Sequence, residues 1–185
     1  MSRCRLIFFC ALLCCGRAEA TTAVWIDTDP AIGAPWREVD DAFALLLVFH
    51  SPEVKIVGLS TTYGNAALPR TTAVARDLVQ RFGQRAGLRE DMVHPGARSP
   101  RDRTAKTEAT EGLASALREH RLTYIALGPL TNLAAFLALH PDLADRIDRI
   151  ILVGGRTPET RFAFGPNKSF RVHDANVFKD PAAVA

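Results

Sequence analysis

The sequence predicts an α/β fold, an open and mostly parallel sheet with helices packed on both faces. Three observations carry the prediction. Short apolar or β-branched runs alternate with longer segments of helical character along most of the chain, the order expected of βαβ units. Several runs end in turn-forming pairs: Gly64-Asn65, Gly128-Pro129 and Gly154-Gly155. The polar residues with chemical interest fall at those same strand ends, and open α/β sheets bind ligands outside the carboxyl ends of their strands.

Taken in order, residues 1–20 stand apart from the rest. Arg3 and Arg5 precede an apolar stretch from Leu6 to Cys15, and Ala18-Glu19-Ala20 gives a small-x-small cleavage pattern. This predicts a secretory signal peptide, with a mature domain over 21–185 in a secreted or periplasmic setting. The apolar stretch is too short to span a bilayer comfortably. "AVWI" (Ala23–Ile26) reads as a strand, and the apolar Val39–Phe49 as a buried helix that opens on Asp40 and Asp41. "VKIVGLSTTYGN" (Val54–Asn65) reads as a second strand with its exit turn. Pro69–Phe82 has helical spacing, a short strand is expected at Met92-Val93, and Glu111–Glu119 reads as a helix. "LTYIAL" (Leu122–Leu127) is a strand, Leu130–Leu139 a helix, and Arg149–Gly155 a further strand.

The composition fits a globular chain with a real core: 185 residues, 48% hydrophobic and 23% charged. All four cysteines (Cys4, Cys10, Cys14, Cys15) lie inside the first twenty residues. The mature chain would therefore have no disulfide framework and no thiolate chemistry. Removing Arg3, Arg5, Arg17 and Glu19 takes the formal charge from +3 to +1. No clustered basic face suggests nucleic-acid binding, and no membrane association is expected once the leader is removed.

The chemistry centres on "DTDPAIGAPWREVDD". Asp27 and Asp29 end a strand, and Asp40 and Asp41 begin a helix. Four carboxylates repel one another unless a divalent cation neutralises them, and hard oxygen ligands suit Ca²⁺ or Mg²⁺. A helix start also favours anions, and Asp is a common cap. A cap suffices for Asp40 alone, whereas Asp29 with Asp41 suggests a metal site. A cation there could activate a water, with Asp29 taking its proton. Asp27 is either part of the site or a brace behind it.

"DTDP…DDAFALLL", "GLSTTYGN", "ALGPLTNLA" and "ILVGG…HDANVFKDPAA" resemble, in order, the motifs of the inosine-uridine-preferring nucleoside hydrolases, from about Val24 to Ala185. The resemblance implies a Rossmann-type open sheet, a Ca²⁺ cofactor, and hydrolysis of the N-glycosidic bond of ribonucleosides by an activated water. It implies Asp29 as catalytic base and metal ligand, Asp41 as the second metal carboxylate, and Leu127 as a metal ligand through its backbone carbonyl. Asp27, Asp40, Asn65, Asn167, Asp174 and Asn176 are implied to bind substrate or support the metal. The glycosidic carbon would pass through an oxocarbenium-like state. A confident proton donor for the departing base is not identified, and homo-oligomerisation is left open.

Three departures qualify the match. Ten residues, 30–39, separate Asp29 from Asp40 where the family has a few, and they bring Trp36 and Arg37 near the site. Asp174 stands where a glutamate is usual. The family also continues well past Ala185, so the fold is expected to be incomplete at its C-terminus, with an apolar surface left uncovered and weak or absent hydrolysis by these residues alone. Two other functions remain open: a secreted nucleoside- or ribose-binding protein without turnover, and a haloacid dehalogenase-type phosphotransferase. The latter is disfavoured because Pro30 follows Asp29 at once.

Overall fold

The computed structural model describes residues 21–155, 163–164, 170–171 and 173–185. The leader expected at 1–20 and the substrate-binding role expected of Asn167 lie outside the described residues. Five parallel strands form the main sheet: β1 (Thr22–Thr28), β2 (Val54–Thr61), β3 (Val93–Pro95), β4 (Leu122–Ala126) and β5 (Ile147–Leu152), in the order β3-β2-β1-β4-β5. The helices are α1 (Asp40–Phe49), α2 (Leu68–Phe82), α3 (Glu108–Glu119), α4 (Thr131–Leu139) and the short α5 (Ala175–Lys179). A two-stranded antiparallel pair, β6 (Ala163–Phe164) with β7 (Phe170–Arg171), lies outside the main sheet. The order reverses direction at β1, with β2 on one side and β4 on the other. That is the switch point at which doubly wound sheets open a crevice.

The period of a strand explains the two faces. Val24 and Ile26 of β1 pack with Ala42, Leu45 and Phe49 of α1 and with Ala75, Leu78 and Val79 of α2. Trp25, between them, points the other way into a second core with Leu113 and Leu117 of α3 and Leu133 and Phe136 of α4. Trp25, Tyr124 and Phe136 are all essentially inaccessible, and burial of such a side chain contributes about 2 kcal/mol. Helices therefore do cover both faces.

Several boundaries differ from the sequence reading, each for a local reason. Helix α3 starts at Glu108, three residues early, because Thr107 and Thr110 form a reciprocal capping pair across its first turn. Strand β5 starts at Ile147, which pairs with Leu122, and stops before the glycines. After α5 the chain makes a 3₁₀ turn over Pro181–Ala183. Helix α1 is not buried all round: Phe43 and Leu47 are 62% and 72% exposed. Only its Ala42, Leu45 and Phe49 face reaches the sheet, so the apolar residues at positions 39, 43 and 47 share the outer face. Ile150, Ile151, Leu152 and Val153, at and just beyond β5, are also exposed.

Candidate active site

The site forms where β1 and β4 end. Asp27, still within β1, is fully buried. Its Oδ1 accepts hydrogen bonds from Ser60 Oγ at 2.6 Å and Asn132 Nδ2 at 2.7 Å. Ser60 in turn accepts from Trp25 Nε1 at 2.9 Å. Asn132 also donates to Thr61 O at 3.2 Å and accepts from Ala97 N at 2.7 Å, so one amide ties the ends of β1, β2 and the loop after β3 together. Burial pushes the Asp27 carboxyl up to about 6, against the lowering effect of these donors. Among the described residues, its Oδ2 and the neighbouring Tyr124 hydroxyl have no hydrogen-bond partner.

Two residues on, Asp29 meets a different environment. Its Oδ2 accepts from Asn65 N at 2.6 Å, and Lys179 Nζ stands 3.9 Å away. Burial, then the negative charge of Asp41, push its carboxyl up to about 8; the Asn65 N–H and Lys179 act in the opposite direction. Gly64 makes room for the Asp29 carboxyl: its φ is +154°, and a Cβ there would collide with Asp29 Oδ2. Gly128 is similarly close, since a Cβ there would lie 3.2 Å from Asp29 Cγ.

Asp41 is buried in the first turn of α1, where the helix dipole favours a negative charge. Its Oδ2 accepts from Thr28 Oγ1 at 2.5 Å and from Asp29 N at 2.9 Å. The neighbouring Asp40 is exposed and caps nothing: the N-cap position is Val39, without a side-chain cap bond. The cap expected of Asp40 is thus absent, because the helix begins at that residue rather than after it.

The remaining residues proposed from the sequence occupy the rim. Asn65 uses both ends of its amide on Glu38: Nδ2 donates to Glu38 O at 3.1 Å, and Oδ1 accepts from Glu38 N at 3.3 Å. This pins the 30–39 excursion to the turn after β2, while Trp36, at φ +60°, projects fully into solvent. Asp174 accepts from Val177 N at 2.8 Å and caps α5. Asn176 Nδ2 donates to Leu127 O at 2.7 Å and Val153 O at 2.8 Å. The structure therefore brings together Asp29, Asp41 and Asn65, sets Asp27 behind them, and leaves Asp40 outside the hydrogen-bonded cluster.

Sequence reasoning missed Thr28, Ser60 and Lys179. Thr28 and Ser60 show no signal beyond being polar residues at strand ends. Lys179 lies within the quoted "NVFKDP" segment, and its charge next to a cluster of acids was the available cue. Two histidines make structural contacts: His94 stacks on Trp25 with centroids 5.3 Å apart, and His140 pairs with Glu111 at 3.0 Å.

The donor set fits a hard cation in part. Among the described residues, no group of three or more His, Cys, Asp or Glu side chains could hold a metal ion. Asp29 and Asp41 nevertheless form a buried acidic pair, and no described residue donates to Oδ1 of either. A divalent ion would satisfy the repulsion that drives the Asp29 carboxyl upward, with the Leu127 carbonyl as a further oxygen donor.

A parallel sheet with helices on both faces, with acidic residues gathered at the switch point, defines an open α/β protein whose candidate site lies at the end of β1. Comparison makes the class specific. The family model for inosine-uridine preferring nucleoside hydrolases matches residues 24–185, and the chain belongs to that family. It is 30% identical to "Probable uridine nucleosidase 2" of Arabidopsis thaliana, over 85% of this chain and 53% of that protein. It is 28% identical to the non-specific ribonucleoside hydrolase RihC of Shigella sonnei, over 88% of this chain and 56% of that protein. Among solved structures, the plant nucleoside hydrolase PpNRh1 superposes with a TM-score of 0.68 at 30% identity, covering 88% of this chain and 55% of that one. The inosine-uridine preferring nucleoside hydrolase of Bacillus anthracis shares the fold, with a TM-score of 0.64 at 23% identity, covering 89% and 61%. The chain spans about half the length of the curated relatives it matches.

Proposed function

We propose that this chain carries the catalytic acid cluster of a ribonucleoside hydrolase that cleaves the N-glycosidic bond with water, giving free base and ribose. The observation that supports it most directly is the buried Asp29–Asp41 pair at the end of β1, in a chain of this family. Bound calcium would supply the positive charge that orients a sugar diol and makes a water more acidic.

The chain's own residues do the rest. The Asn65 N–H fixes Asp29 by its Oδ2, leaving Oδ1 to take a proton from the attacking water. A carboxylate raised toward neutrality is a stronger base than a free one, which suits this role. As the water oxygen bonds to the anomeric carbon, the bond to the base breaks and its electron pair leaves with the base, while the proton taken by Asp29 is returned through solvent to the base, giving free base and ribose. Thr28 Oγ1 and the Asp29 N–H hold Asp41 in place, so its charge faces the developing positive charge on the sugar ring. Asp40, Asn65, Asn167, Asp174 and Asn176 are assigned to the substrate side, with Asp27 as the brace behind Asp29. The leader at 1–20 would deliver a mature 21–185 domain to a secreted or periplasmic location.

The test is chromatographic detection of base released from inosine and uridine, with calcium and with chelator. Calcium-dependent release supports the proposal. Ribose binding by calorimetry without release would instead favour a binding protein. Residues 21–185 alone are expected to turn over slowly or not at all, and brisk release by that fragment would overturn this last expectation.

A further inference from the structure

Two of the groups assigned above to the cation, the Leu127 carbonyl and the Asp29 carboxyl, already have partners from α5. Asn176 Nδ2 donates to Leu127 O at 2.7 Å, and Lys179 Nζ lies 3.9 Å from Asp29 Oδ2. The segment bearing them is anchored firmly. Asp180, fully buried, pairs with Arg103 Nη1 at 2.7 Å and accepts from Thr131 Oγ1 at 2.7 Å. The Tyr63 hydroxyl donates to Lys179 O at 3.2 Å. The base of the segment is thus fixed while the Lys179 side chain reaches back to the acidic pair.

The Lys179 side chain is only 26% exposed. An ammonium drawn that far from water needs a negative partner, and its ion-pair partner among the described residues is Asp29. At 3.9 Å the contact is Coulombic rather than hydrogen-bonded, and the four-carbon stem can swing away.

The geometry points to Lys179 as a built-in counter-ion of the Asp29–Asp41 pair, one that a divalent cation must displace in order to bind. The inference rests on the cation reading above. Lys179 would partly neutralise the acids when no ion is bound, and would weaken ion binding because two cations in a low-dielectric site repel.

Calorimetric titration of calcium into the full chain tests this, comparing wild type with Lys179→Met, Lys179→Gln and Lys179→Arg, each first checked for a cooperative melt. The uncharged variants are expected to bind calcium about tenfold more tightly, with Lys179→Arg close to wild type. Two uncharged variants guard against one failing to fold. Calcium binding to wild type with equal or weaker affinity in the uncharged variants would overturn the counter-ion role and leave the hydrolase reading intact. Absence of calcium binding in every form would overturn both the counter-ion role and the cation assignment.

Discussion

Asp27 and Asp29 stand two residues apart at the end of β1, both nearly inaccessible, yet they are satisfied in different ways. Asp27 is met by neutral donors, Ser60 and Asn132, that knit neighbouring strands. Asp29 is met by one backbone N–H, a second carboxyl and a distant ammonium. The first is anchored through Oδ1 by neutral donors, with Oδ2 left without a partner among the described residues, and the second is set against a like charge. Neutral donors that tie strands together rigidify a fold, whereas like charges held together mark a candidate functional site. The contrast separates a proposed brace from a proposed base even though the two share residue type and burial and lie two positions apart.

Substitutions can break that contrast. The largest effect is expected at Asp29. In the proposed enzyme, Asp29→Asn should reduce base release by at least about a hundredfold and abolish calcium binding. The same change removes a like charge, so the calcium-free protein should melt higher than wild type. Unchanged base release would refute the assignment of Asp29 as base. Asp27→Ala should act on stability, costing about 2–4 kcal/mol in denaturant titration, because Ser60 and Asn132 lose their acceptor. If that variant kept its stability but lost substrate affinity, Asp27 would belong with the substrate and the contrast would fail.

The pH dependence sharpens the same point. Both carboxyls are raised in the folded chain, to about 6 and about 8 from an ordinary 3.8. The unfolded chain gives up these protons first. The contribution is therefore fully present below about pH 4 and is lost as pH rises through 6 and then 8. Melting temperature measured in chelator should fall across that window. Calcium should flatten the part between about pH 6 and 8, which belongs to Asp29 alone, and leave a shallower fall between about 4 and 6, where Asp27 still contributes. The smallest effect on stability is expected at Asp40: exposed and capping nothing, it should tolerate Asp40→Ala within about 0.5 kcal/mol. Its assignment to the substrate side predicts weaker nucleoside binding by that variant, and unchanged affinity would remove it from the site.

Much of this was legible in the sequence because it rests on local pattern. Alternating runs and terminal glycines located the five strands and the helices between them, and the acidic pairs marked the end of β1 as the place to look. What the sequence could not show depends on contacts between distant segments. Asp41 is secured by Thr28, thirteen positions away, and Asp27 by Asn132, more than a hundred away. The outer face of α1 was misread because mean apolarity does not say which side meets the sheet. The occupation of Leu127 O by Asn176 is a property of packing, and no spacing rule anticipates it.

The pair of hydrogen bonds between the Asn65 amide and the Glu38 backbone has a mechanical corollary. If Asn65 binds sugar as proposed, a sugar hydroxyl taking hold of this amide would have to prise it from the main chain at position 38, coupling ligand capture to release of the excursion. Trp36 sits two residues up that strap with its indole in water, and the other tryptophan, Trp25, is sealed in the core. A change in the emission of the solvent-facing indole on adding ribose would make the strap's movement directly visible.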